Sequence, residues 1–68
     1  MPVLEVTMIE GRPFEAKANM VRAVTDAVVE TLGAPRASVR IIIREVPAWH
    51  FAAGGELKGT PPDEPPAG

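Results

Sequence analysis

The chain of 68 residues has no cysteine, no tyrosine and a single histidine. Without cysteine it can form neither a disulfide nor a thiol nucleophile, and one histidine is too few for a structural zinc site. A domain this short buries only about 60% of the surface that its unfolded chain exposes, so it usually depends on disulfides, a metal or partner subunits. We therefore expect a homo-oligomer with no metal.

The sequence also lacks an excess of basic residues and a long apolar run. Its seven Lys and Arg against nine Asp and Glu leave a net charge of −2, which is no electrostatic footprint for nucleic acid or an anionic membrane. No apolar run approaches the roughly 20 residues of a membrane span, and the start does not have the pattern of a signal peptide. We expect a cytoplasmic protein without nucleic-acid or membrane partners.

Aliphatic residues are abundant, and their spacing predicts a strand, a helix and a second strand. Residues 3–9 alternate between an apolar face and a mixed face, as a strand does. From Pro13 to Leu32 apolar residues, Phe14 among them, recur every three or four positions, and Gly33 then supplies a helix stop. Residues 39–46 are rich in β-branched side chains and form the second strand. The fold class is α/β: one right-handed βαβ unit with parallel strands.

This unit leaves part of the chain without an obvious packing partner. One helix covers one face of a two-stranded sheet, so the apolar residues of the other face again indicate a second subunit. Gly54 and Gly55 predict the turn of a short C-terminal hairpin. We assign residues 1–57 to the domain and expect the proline-rich tail, residues 58–68, to be disordered.

The charged residues lead to three further expectations. Arg22 and Asp26 lie four positions apart on the helix and should form a weak surface pair. Arg40 stands among isoleucines in a strand, where an arginine needs an anionic or carbonyl partner. Arg44 lies on the same face and should pair with Glu45 or Glu5. The single histidine stands beside two aromatic residues, and we expect it to pack there rather than act in catalysis.

Four segments together carry a family resemblance. They are Pro2 after the initiator methionine, the turn at residues 10–12, the segment 34–43, and residues 50–57 with their glycine pair. In this order and spacing they resemble the 4-oxalocrotonate tautomerase family over residues 2–57, without a gap. The resemblance implies a tautomerase fold, with βαβ subunits paired into dimers and three dimers forming a hexamer.

The resemblance also implies an active site that lies between subunits. Pro2 matches the catalytic base, once Met1 has been removed. Arg12 matches the arginine that binds a substrate carboxylate, and Arg40 matches the arginine from a neighbouring subunit that engages the hydroxyl or carbonyl end of the substrate. Two further matches line the pocket: Ile9 and Phe51.

The chemistry of an N-terminal proline fits this role. Its α-amine is secondary, and burial among aliphatic side chains and nearby arginines would both lower the pKa of the Pro2 amine, leaving it neutral and able to take a proton. Such a base could interconvert the enol and keto forms of a small 2-hydroxydienoate or 2-oxo acid. Arg12 and Arg40 would hold the carboxylate and the oxygen on which negative charge builds. No cofactor is needed for this reaction.

The chain departs from the family pattern at three positions. Trp49 and Pro47 stand where the namesake enzymes have smaller or more polar residues, so we expect a reshaped pocket mouth with Trp49 in its wall. Ala53 replaces the glutamate of relatives that hydrate or dehalogenate their substrates, which argues against that chemistry. Two alternatives stay open: a biosynthetic relative that uses Pro2 as a nucleophile, and an oligomeric binding module that has lost catalysis.

Overall fold

The computed structural model describes residues 1–63 and contains one βαβ unit followed by a small hairpin. Two strands pair in parallel, and a helix connects them. The bounds are β1 Val3–Ile9, α1 Phe14–Leu32, β2 Arg40–Val46, β3 Ala52–Ala53 and β4 Glu56–Leu57. This is the predicted fold class, with strand bounds within one residue of those expected. Within the described residues, no helix is long and apolar enough to cross a membrane.

The helix lies against one face of the sheet. An ion pair of 2.9 Å joins Lys17 of α1 to Glu45 of β2. Since side chains alternate along a strand, Ile43 and Ile41 share this face with Glu45. Both isoleucines are half-buried, as are the helix-facing residues of β1: Leu4, Val6 and Met8.

The other face of the sheet is open. Val3 is 55% exposed and Ile42 is 45% exposed on this face. Over residues 1–63 no side chain is fully buried, so the single subunit has no closed core. Apolar side chains in these positions need a covering surface, as the sequence led us to expect of an oligomer.

The start of the helix differs from the prediction by one residue. Pro13 is the N-cap, with an extended backbone (φ −67°, ψ 156°), and the helix begins at Phe14. The prediction that Phe14 packs with the apolar face is wrong for the single subunit, where its side chain is 83% exposed. The first turn of α1 extends past the covered surface, and Lys17 and Ala18 are the first half-buried residues of the helix.

The predicted pair of Arg22 with Asp26 is also wrong. Arg22 donates a hydrogen bond to the side chain of Asn19, and Asp26 instead accepts one of 2.6 Å from Arg36 after the helix. Helical side chains lean toward the helix N-terminus, so Arg22 reaches back to position i−3. An acid that follows a base by four positions is the less favourable order.

Gly33 ends the helix as predicted. It is the C-cap, with φ 67° and ψ 21°, and its N–H donates to the carbonyl oxygen of Val29 at 3.0 Å. We expect Gly33→Ala to lower the free energy of unfolding by about 1 kcal/mol, because a Cβ disfavours the left-handed region. Gly33→Asn should cost less, since asparagine tolerates that region. Urea unfolding at one fixed protein concentration measures both, and equal losses would contradict the explanation.

The C-terminal hairpin confirms the predicted glycine turn. Gly54 and Gly55 have φ values of 61° and 83°, and positive φ at both central positions is the type I′ geometry. The Lys58 N–H donates to the Phe51 carbonyl at 2.9 Å, which extends the hairpin pairing by one bond. The domain limit at residue 57 and the disordered tail stay predictions, and residues 64–68 lie outside the described part of the chain.

Candidate active site

Two of the predicted site residues lie together at one end of the sheet. Arg40 begins β2 opposite Val3, the first residue of β1, and its N–H donates to the Pro2 carbonyl at 3.0 Å. Pro2 is half-buried there, whereas Met1 is 80% exposed. The end of the strand therefore places the Pro2 carbonyl beside the backbone N–H of Arg40.

The other predicted site residues lie at the opposite end of the sheet. Ile9 is the last residue of β1, opposite Val46 at the end of β2. Arg12 is exposed in the loop that leads from β1 to α1, and it lines a groove of about 360 Å³ with residues of strand and helix: Met8, Ala16, Lys17 and Met20. Trp49 and Phe51 follow β2, the first half-buried and the second 36% exposed.

The length of β1 keeps these two groups apart within one subunit. Its seven residues, at about 3.3 Å each, span about 23 Å between Pro2 and the loop that holds Arg12. This distance exceeds the reach of an arginine side chain. Arg12 therefore cannot reach Pro2 within one subunit, and the two residues could share a site only across a boundary between subunits.

The larger groove lies elsewhere, beside the helix. It measures about 510 Å³, and Phe14, Val21 and Ile43 form its apolar lining, with Lys17 and Glu45 at its polar side. None of the predicted site residues lines it. Residues 1–63 contain no cluster of histidine and acidic side chains that could hold a metal ion.

Arg44 is paired with one of its two predicted partners, Glu45 and Glu5, and has the structural role expected of it. In the structure Arg44 pairs with Glu5 at 2.7 Å on the open face, while Glu45 is taken by Lys17 on the helix side. Arg40 shares the open face with both residues of this pair. The strand register aligns Glu5 with Ile42, which lies between the two arginines. Knowledge of this register would have predicted that Glu5 lies within reach of both arginines.

Comparisons with known proteins match nearly the whole chain. The family model described as "Tautomerase enzyme" matches residues 2–60. A protein of Ralstonia nicotianae named a "probable tautomerase" is 52% identical over 65 residues, which cover 96% of this chain and 93% of that protein. The 2-hydroxymuconate tautomerase of Stutzerimonas stutzeri is 45% identical over 56 residues, covering 82% and 89%.

The fold is also that of a solved tautomerase. The heterohexameric 4-oxalocrotonate tautomerase of Chloroflexus aurantiacus superposes with a TM-score of 0.82 and is 43% identical, covering 85% of this chain and 94% of that one. The hexameric state of that relative fits the open sheet face of this chain. With a family match over residues 2–60, the chain belongs to the 4-oxalocrotonate tautomerase family of the tautomerase superfamily, and it is an isomerase.

Proposed function

We propose that the protein is a cofactor-independent tautomerase that interconverts the enol and keto forms of a small 2-hydroxydienoate or 2-oxo acid, with Pro2 as general base after Met1 is removed. The position of Pro2 carries this proposal. It is the first residue of the family match, and it stands half-buried at the end of the sheet beside Arg40. Among its relatives, those named for 2-hydroxymuconate suggest this dicarboxylate as the first substrate to try.

The proposed reaction moves one proton and shifts the double bonds of the substrate, and no group is added or lost. The neutral amine of Pro2 removes the proton from the hydroxyl of the dienol, and the electron pair shifts along the conjugated chain as the C=O bond forms. The protonated amine then returns the proton to a carbon. Arg40, supplied by a neighbouring subunit as the family resemblance implies, holds the oxygen on which negative charge develops, and Arg12 of another subunit holds the distant carboxylate.

The remaining predicted residues form the walls of this site. Ile9, Trp49 and Phe51 all lie at the Arg12 end of a subunit, so they would enclose the substrate together with Arg12. Their apolar surface excludes water, which strengthens the arginine contacts and favours the neutral form of the Pro2 amine. Trp49 is the bulkiest of them and would narrow the range of substrates that enter.

A hexamer built as a trimer of dimers is the assembly that we propose for this site. In this hexamer another subunit covers the open sheet face. The end of the sheet that holds Arg12 in one subunit then lies next to Pro2 of another. The proposed hexamer contains one kind of chain, in contrast to the Chloroflexus aurantiacus relative, which is a heterohexamer. The cytoplasmic location stays a prediction from the sequence.

Intact mass spectrometry of the untagged protein, followed by an assay of 2-hydroxymuconate and phenylpyruvate ketonisation, tests the proposal. With Met1 attached, the Pro2 nitrogen is a tertiary amide and cannot take a proton. We expect a mass that lacks methionine and turnover of at least one of the two substrates. Retention of methionine in every molecule would remove the base and favour the non-catalytic binding module. A borohydride-trapped aldehyde adduct on the terminal peptide would instead favour Pro2 as a nucleophile.

A further inference from the structure

The open sheet face carries one acid between two arginines. Glu5 aligns with Ile42 in the register of β1 and β2, and Arg40 and Arg44 stand two residues before and after Ile42 on the same face. Both arginines therefore occupy diagonal positions from Glu5, within the reach of long side chains. Glu5 could pair with either of them.

The structure contains only one of these two pairs. The Glu5 carboxylate lies 2.7 Å from the guanidinium of Arg44. Within residues 1–63 the guanidinium of Arg40 has neither an ion pair nor a hydrogen bond. The Arg40 guanidinium thus has no anionic partner in the subunit, although Glu5 lies at a diagonal position on the same face.

We infer that Arg44 is a positioning residue that holds Glu5 away from Arg40 and so keeps Arg40 available for the substrate. This inference rests on the proposed function, in which Arg40 binds an anionic oxygen. A carboxylate that paired with Arg40 would neutralise its charge and occupy its donors, and a substrate would then have to displace it. Arg44 prevents this competition because Glu5 pairs with Arg44 instead of Arg40.

The location of the Glu5–Arg44 pair increases the competition that Arg44 prevents. Glu5 and Arg44 have exposed side-chain fractions of 53% and 64% in the single subunit, and they lie on the face that needs a cover in the oligomer. Covering this face lowers the local dielectric, so a carboxylate without Arg44 would be drawn more strongly to the remaining arginine.

Four variants test this inference by steady-state kinetics with 2-hydroxymuconate: Arg44→Met, Arg44→Lys, Glu5→Gln and the double variant Glu5→Gln/Arg44→Met. We expect Arg44→Met to raise KM about fivefold, which is the upper end of the effect of a partly exposed ion pair, with a smaller change in kcat. Arg44→Lys keeps the cation and should stay near the wild-type KM. Glu5→Gln removes the competitor, so that variant and the double variant should also have a KM near that of wild type.

Recovery of KM when Glu5→Gln is added to Arg44→Met distinguishes a positioning role of Arg44 from a merely structural one. A structural ion pair would leave the double variant at least as impaired as Arg44→Met, and that result would overturn the inference. A raised KM in Glu5→Gln alone would overturn it as well, because this variant breaks the pair without freeing a carboxylate. Added salt should reduce the defect of Arg44→Met by screening Glu5 from Arg40. Native mass spectrometry verifies that each variant keeps the wild-type assembly.

Two further measurements keep failure of this inference distinct from failure of the proposed function. Arg40→Ala with wild-type kinetics would refute the proposed role of Arg40, whereas an impaired Arg40→Ala beside an unaffected Arg44→Met would refute only the inference. A crystal structure of Arg44→Met gives a readout that does not depend on activity. We expect the Glu5 carboxylate within 4 Å of the Arg40 guanidinium, and a Glu5 that remains away from Arg40 would overturn the inference.

Discussion

Pro2→Ala should lower kcat/KM for 2-hydroxymuconate by about 10²- to 10⁴-fold, the usual contribution of a general base. Alanine at position 2 still allows removal of Met1, so the variant keeps an N-terminal amine at the same end of β1. This amine is primary and lacks the ring that fixes its direction toward the substrate. The loss therefore reports the chemistry of the proline nitrogen rather than a missing terminus, and steady-state kinetics measures it.

Pro35→Ala is the matched control for this prediction. Pro35 is exposed, precedes the short turn Arg36–Ser38 and has no role in the proposed site. It should keep wild-type kcat/KM, which shows that loss of a proline alone does not reduce activity. Equal activity of Pro2→Ala and wild type, with Met1 removed from both, would refute the role of Pro2 as base.

The pH dependence offers a second signature of the same base. An amine that must be neutral to accept a proton becomes inactive once it is protonated, so kcat/KM should fall as the pH drops below the pKa of the Pro2 amine. A profile of kcat/KM against pH measures this fall, and a profile that stays flat on the acid side would contradict an amine base.

Much of the fold could be predicted because its local signals agree with one another. Strand alternation, the helical period and the stop at Gly33 all act within a few residues of the chain, and the structure has the elements where these signals place them. The error at Phe14 has a different origin. Periodicity records which residues share a helix face, but it does not record where the covered surface ends, and Phe14 lies beyond it.

The candidate site was less accessible from the sequence, because its geometry depends on contacts that are distant along the chain. The resemblance supplied the residues Pro2, Arg12 and Arg40, whose roles stay predictions. Alternation within β2 already places Glu45 on the face opposite Arg44. The pairing of Arg44 with Glu5 depends on the register between the two strands, which the spacing of residues within a single strand does not encode.

The proposed division of the site between subunits leads to a complementation test. Pro2→Ala and Arg12→Ala each remove one half-site and should each reduce kcat/KM strongly when they are alone. In a mixed oligomer, a Pro2 from an Arg12→Ala subunit can meet an Arg12 from a Pro2→Ala subunit. If subunits mix at random, half of the Pro2 positions and half of the facing Arg12 positions are intact, so about a quarter of the sites are complete.

Co-expression of the two variants with different C-terminal tags, followed by purification on both tags, yields such oligomers and leaves the N-terminus free. We expect kcat/KM to recover to about a quarter of the wild-type value, far above either variant alone, because random pairing restores that share of sites. Pro2→Ala co-expressed with Pro2→Ala/Arg12→Ala is the matched control, since no subunit then contains the base and no site can be restored. If kcat/KM does not recover in mixed oligomers, Pro2 of one subunit and Arg12 of another do not serve one site.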